Sequence, residues 1–316
     1  MTVTPLAGIA ADLAAGIEVS ASLREAVYRG KVISESNPVQ LAAALALAIY
    51  GHAHAGLIHE RTTRPSLWRD PELEQRAAKS MPVGRLRARG DLIQDRDGAL
   101  TVDVGGVRVS VPSDSPTLES RNGAEVILSL PTHWTRRSPG FFSAGSPSRA
   151  YKAIGPILRV YVRCESAERA LGTWRALGQL LPELEIPWWA KVLSSSHSYP
   201  RSDAIVVYLN RLGWAEAGRI VRFIEERNLA DSGGSMLARR WSDGIGLAFE
   251  PIDVRPTYTG LSFGQHRSRV IAEGVVRAAR DGVDVETAVD ESLRNALVDP
   301  SAPWRNITSP TIFEVE

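Results

Sequence analysis

Residues 188–193, WWAKVL, constrain the fold more than any other stretch of this 316-residue chain. Side chains alternate along a strand, so Trp189, Lys191 and Leu193 share one face and Trp188, Ala190 and Val192 share the other. Neither face offers an obvious solvent side. A lysine boxed in this way must find a partner, snorkel to water from an edge strand, or lose its charge. Desolvation lowers a lysine pKa from about 10.4, to roughly 5–6 in deeply buried cases. A lysine that is neutral near pH 7 can work as a general base. An edge strand with an ordinary snorkelling lysine is the simpler alternative.

Other segments share this alternation. In Ile157–Arg163, ILRVYVR, Leu158, Val160 and Val162 face one way and Arg159, Tyr161 and Arg163 the other. Two arginines and a tyrosine on one strand face supply donors suited to a phosphate, or else a solvated surface. Residues 204–209 form another strand. Helices are predicted over 166–181, with Ser166 as the cap, and over 215–227, 267–280 and 285–297. Within Ser262–Gly274, SFGQHRSRVIAEG, helical spacing puts Phe263, Arg267, Val270, Ile271 and Gly274 on one face. Arg267 thus falls on the apolar side. His266 and Arg267 in the first turn of a helix are well placed for an anion.

The N-terminal half reads differently. Residues 5–60 are Ala-rich and look helical, with Asn37-Pro38 starting a helix. Residues 62–80 read as a loop and a short helix. From 82 to 130 short β runs take over, with hairpin turns at Asp97-Gly98 and Gly105-Gly106 and a strand at 124–130. Residues 132–147 read as a loop. The expected architecture is α+β, a mostly antiparallel sheet flanked by helices. A helical and β-hairpin region over 1–140 precedes an α+β domain over 141–316.

Composition excludes several classes. The chain is 44% hydrophobic and 23% charged with a net charge of +1, so nothing global points to nucleic acid or a membrane surface. A single cysteine, Cys164, rules out a disulfide framework and multi-cysteine metal sites, and suits a reducing cytoplasm. No secretory signal is expected. His52 and His54 lack the spacing of a helical metal pair, and no nucleotide-binding loop or nucleophile elbow occurs. No metal or organic cofactor is expected.

The runs SRAYKAIGPILRVYV, IPWWAKVL, YPRSDAIVVYL, LARRWSDGIGLAFEP and LSFGQHRSRVIAEG together resemble the HopA-type effector family, over roughly residues 128 to 306. The family includes bacterial type III effectors and stand-alone proteins of thioamitide and class V lanthipeptide clusters. The resemblance implies a phosphoserine/phosphothreonine lyase. It would eliminate phosphate from a precursor peptide phosphorylated by a separate kinase-like partner, leaving dehydroalanine or dehydrobutyrine. It implies Lys191 as the base and Arg201 as a phosphate ligand. Arg267, Arg159, Arg240, Arg149 and Asp203 complete the candidate binding set. Where phosphothreonine lyases carry an acid histidine, this chain has Tyr161, so Tyr161, His197 and His266 all remain candidates for the acid. A catalytically silent phosphopeptide- or kinase-binding module is the competing expectation. Residues 1–80 carry little of the resemblance and could dock a kinase or the peptide leader, or simply cap the sheet.

Overall fold

The computed structural model describes residues 8–57, 69–82, 84–148 and 155–310. The fold is α+β, with seven α-helices and three antiparallel sheets among these residues. Helix α1 (Ile9–Ala15) leads into a three-stranded meander of β1 (Ile17–Val19), β2 (Glu25–Tyr28) and β3 (Lys31–Ser34). Helix α2 (Pro38–Ile49) follows, continued by a π-helical turn, Tyr50–Ala55, and then α3 (Pro71–Ser80). Strands β4 (Arg85–Arg96), β5 (Ala99–Val104), β6 (Val107–Pro112), β7 (Leu118–Asn122) and β8 (Glu125–Pro131) make a five-stranded sheet.

The main sheet has seven strands in the order β14, β15, β11, β13, β12, β10, β9. These are β9 (His133–Ser138), β10 (Phe141–Gly145), β11 (Leu158–Cys164), β12 (Trp188–Leu193), β13 (Arg201–Leu209), β14 (Arg239–Ser242) and β15 (Ile245–Phe249). Helix α4 (Ala167–Glu183) connects β11 to β12, and α5 (Ala217–Glu226) connects β13 to β14. Helices α6 (Phe263–Asp281) and α7 (Val285–Asn295) close the chain. Asn37, Ser166, Ser262 and Asp284 cap α2, α4, α6 and α7 through their side chains, as their residue types favour.

β12 lies inside the sheet, paired with β10 and β13, so Lys191 is not on an edge strand. One sheet face packs on α4, where Trp174 meets the ring of Phe142 edge-on. The other carries Tyr161, which packs against Phe263 of α6 and His54 of the π-helical turn. The main hydrophobic core draws on both sides of residue 140. Leu41, Leu45 and Ile49 of α2 are fully buried in it together with Val160, Val207 and Ile271. The first 80 residues therefore contribute to the core itself. The five-stranded sheet has a separate small core of Leu100, Val102, Val126 and Leu128 with two neighbours.

Two local expectations are corrected. Residues 17–34 are strands within the supposedly helical N-terminal run, turned by Arg29 and Gly30, both at positive φ. This is the backbone of a tight hairpin turn. Residues 133–145 are a strand pair because β9 and β10 bond to each other and β10 completes its ladder on β12. Arg239 and Arg240 lie on edge strand β14. No described helix is long and apolar enough to cross a membrane.

The α6–α7 crossing gives a direct test of packing. A Cβ at Gly274 would lie 2.9 Å from the Cα of Val289. Glycine to alanine inside a helix normally gains about 1 kcal/mol. Here overpacking costs about 1–3 kcal/mol. Gly274→Ala should therefore lower the melting temperature in thermal denaturation, whereas an exposed helical site would show the reverse.

Candidate functional site

Strand register sets two rows of residues across one face of the main sheet. The first runs Ser143, Lys191, Val206, Tyr161, Gly246, and the second Gly145, Trp189, Tyr208, Arg159, Ala248. A cavity of about 820 Å³ opens over them. Its other walls come from Tyr50 and His54, from the turn between β9 and β10, and from residues 250–262. The π-helical turn lies close because α6 carries no side chain at its second position. A Cβ on Gly264 would fall 2.1 Å from the His54 ring.

Lys191 is 9% exposed. Its Nζ sits 3.9 Å from the ring centre of Phe141 and 5.9 Å from that of Tyr208. It forms no ion pair with any described residue. Three carboxylates line the cavity and all are engaged, Asp253 by Arg255. Asp203 takes both arms of Arg201, at 2.7 and 2.8 Å. Glu250 accepts from Nε of Arg159 at 2.5 Å. Burial lowers the Lys191 pKa to about 7, and repulsion from Arg159 and Arg201 adds to the effect, partly offset by Asp203 and Glu250. Cation–π contact with two rings does not replace a carboxylate.

The remaining groups are held neutral or firmly charged. Burial works to raise the Asp203 pKa, but Arg201 and His54 prevail and hold the carboxyl at about 2. Arg201 also donates to the Tyr50 hydroxyl at 2.8 Å. Burial lowers the His54 pKa to about 4, so the ring is neutral near pH 7. Its Nδ1 meets Ser235 Oγ at 2.9 Å and its Nε2 faces Asp203 at 3.8 Å. Tyr161 and Tyr208 are pushed well above the usual phenol range by burial and remain protonated donors. The arrangement combines a proton acceptor at neutral pH, guanidinium groups for an anion and phenol hydroxyls that can donate. Among the described residues no group of three or more His, Cys, Asp or Glu side chains is placed to hold a metal ion.

Of the candidate residues, the structure brings Lys191, Tyr161, Arg159, Arg201 and Asp203 to one cavity. It places His266 and Arg267 elsewhere. Both are fully buried and absent from the cavity wall. Arg267 donates to the carbonyl of Pro303 at 2.7 Å and to Asn306 Oδ1 at 2.9 Å, tying the C-terminal segment to α6. Its Nη1 meets His266 Nδ1 at 2.8 Å. Arginine can only donate, so Nδ1 accepts and Nε2 carries the hydrogen toward Asp253, 3.1 Å away. Neither residue is free to hold phosphate or deliver a proton to the cavity. Arg240 is exposed, pairs with Asp243 at 2.6 Å and also lies outside the cavity wall, as does exposed His197. Arg149 lies outside the described residues.

Sequence reasoning missed Tyr50, His54, Tyr208, Glu250 and Arg137. Tyr208 lies on the strand expected over 204–209, but its place beside Arg159 and Trp189 is set by register, which the sequence does not show. Arg137 is held between the rings of Trp134 and Trp189, at 4.8 and 4.4 Å from their centres.

The fold and cavity define an antiparallel α+β protein with a buried lysine among arginines on one sheet face. Residues 135–305 match the HopA1 effector protein family, and the chain belongs to it. Tyr50 and His54 lie outside the matched span. The chain is also similar to two solved structures. One is the effector protein from Pseudomonas syringae pv. tomato strain DC3000, at 13% identity over 82% of this chain and 88% of that one, with a TM-score of 0.46. The other is the effector protein from Pseudomonas syringae pv. syringae strain 61, at 13% identity over 83% and 89%, with a TM-score of 0.45. No match was found among curated proteins.

The lowered lysine pKa makes a prediction independent of any substrate. Between pH 7 and the unfolded value near 10.5, the unfolded chain holds a proton on Lys191 that the native chain lacks. This contribution to stability therefore rises with pH across that window, and at pH 7 and below the buried charge is a penalty. Lys191→Met should stabilise the protein toward urea at pH 7, by on the order of a few kcal/mol. That advantage should shrink as pH rises toward 10. A pH-independent difference would contradict a buried, unpaired lysine.

Proposed function

We propose that the protein is a phosphoserine/phosphothreonine lyase acting on a phosphorylated peptide. The observation that carries this reading is Lys191, a buried cation in the wall of a cavity whose nearest carboxylates, Asp203 and Glu250, already pair with Arg201 and Arg159. A base poised near neutral pH and flanked by anion-binding groups suits β-elimination. Lys191 Nζ takes the proton from Cα of the phosphorylated residue. The C–H electron pair becomes the Cα=Cβ double bond, and the Cβ–O bond breaks with its electrons leaving on phosphate. The products are a dehydroamino acid, inorganic phosphate and protonated Lys191, which returns its proton to solvent.

Arg201 and Arg159 supply guanidinium charge to the phosphate side of the cavity. Tyr161 remains a protonated donor for the leaving oxygen or for charge developing at the carbonyl. Phosphate has a second pKa near 6 and needs little protonation to depart. The competing reading, a silent binding module, fits an exposed lysine on a flat surface. Here Lys191 is enclosed. The chain carries no nucleotide loop or kinase catalytic motif, so a separate kinase-like protein would supply its phosphorylated substrate.

Lys191→Ala should abolish loss of phosphoric acid from a phosphothreonine peptide, read by mass spectrometry, with a rate loss of about 10²–10⁴ or more. Binding of that peptide should be largely retained. In the wild type, elimination should rise with pH through about 7, following the lysine. Near-wild-type turnover in folded Lys191→Ala would overturn the assignment.

Arg201→Lys tests the phosphate contact. It should weaken phosphopeptide binding by about tenfold or more while leaving the unphosphorylated peptide unchanged. Equal loss for both peptides would show a fold defect.

A further inference from the structure

A second concavity of about 570 Å³ lies between α2 and α6 on the outside of the molecule. Val39, Ala43 and Leu47 line it at four-residue spacing along α2, with Gln265, Arg269 and Val276 facing them from α6. Val39 is 76% exposed and Leu47 68%. Two large apolar side chains two helical turns apart contribute nothing to folding when left in water. Lining one groove, they offer apolar anchor points to a partner. Alanines 42, 43 and 46 keep the floor low, so a third helix can approach closely.

The groove continues into the cavity over the sheet, because Tyr50, Leu261 and Gln265 line both. Tyr50 also receives the hydrogen bond from Arg201. A chain whose reacting residue lies at Lys191 and which leaves past Leu261 therefore enters this groove. The charges along the groove have a direction. Arg269, Arg277 and Arg280 line it against a single carboxylate, Glu273. Their acidic partners Glu273, Glu291 and Asp281 form partly exposed pairs. Such pairs hold little energy and can be shared with another anion.

We propose that this groove binds a helical, amphipathic segment of the polypeptide substrate that flanks the reacting residue. Its apolar side lies on Val39, Ala43 and Leu47, and its acidic side chains face the arginines of α6. This is the helix-in-groove mode, with anchors at i, i+4 and i+7 or i+8. The proposal rests on the lyase reading for the nature of the substrate, but it concerns binding and can be tested apart from catalysis.

The probe is a synthetic library of randomised 15-residue segments joined to one fixed phosphothreonine pentapeptide, selected by affinity on the full-length protein and identified by mass spectrometry. Selected sequences should carry helical apolar anchors and Asp or Glu, and should bind at least about tenfold tighter than the pentapeptide alone. Leu47→Glu and Ala43→Arg should each remove that gain while leaving pentapeptide binding unchanged. A proline placed mid-segment should do the same. The proposal is overturned if no segment improves on the pentapeptide, if the gain survives both substitutions, or if selected segments are basic. It is also overturned if wild-type protein sediments as a dimer that Leu47→Glu converts to monomer, since a second copy then covers the groove. Should the selected peptides bind as expected but no phosphate be lost, the lyase reading fails and the docking surface stands.

Discussion

The protonation of Lys191 depends on how two carboxylates, Asp203 and Glu250, are shared among Arg159, Arg201 and the lysine itself. Asp203 accepts a bidentate fork from Arg201, and Glu250 pairs with Arg159. A guanidinium meets a carboxylate in a plane with two bonds, which an ammonium cannot match. Arginine therefore takes the acids and lysine is left over. If either carboxylate swung to Lys191, the amine would hold its proton well above neutral pH. Neutrality at Lys191 follows from competition among its neighbours as well as from burial. The same knot binds the N-terminal part, because Arg201 also holds Tyr50 and Asp203 faces His54.

Much of the C-terminal half was legible in the sequence because its elements repeat at clear periods. ILRVYVR and WWAKVL alternate, and the helix cap at Ser166 sits where its side chain can bond the first turn; the start of α6 at Phe263, capped by Ser262, falls four residues before the expected one. The faces were read correctly for β11 and β12. The N-terminal meander was hidden because its strands are three or four residues long and alanine-rich helices flank it. β9 and β10 were hidden because glycine, proline and serine in 132–147 mimic a loop. All five residues of β10 are buried, so no alternation marks it.

Arg267 shows where residue-type reasoning stops. Its position on the apolar side of α6 was read correctly, and a ligand was the natural explanation for a charge there. The structure gives another: a buried guanidinium can satisfy several carbonyls at once, and Arg267 ties Pro303 and Asn306 to the helix while fixing the His266 tautomer. Burial and repulsion lower its pKa to about 9. Nothing local in the sequence announces a partner 36 residues away. His54 and Tyr50 were invisible for the related reason that their roles come from a π-helical turn packed on a helix with glycine at position 264.

The five-stranded sheet enters and leaves the main body at one point. Thr132 bonds the carbonyl of Gly84 through both its amide and its hydroxyl, at 3.0 and 3.1 Å. The excursion from β4 to β8 thus begins and ends at adjacent backbone positions, and its core is its own. Chain continuity through the main sheet does not depend on what lies between these ends. With its own core and a single point of attachment, the smaller sheet is placed to open locally without disturbing the register that sets Lys191 and Tyr161 on either side of Val206.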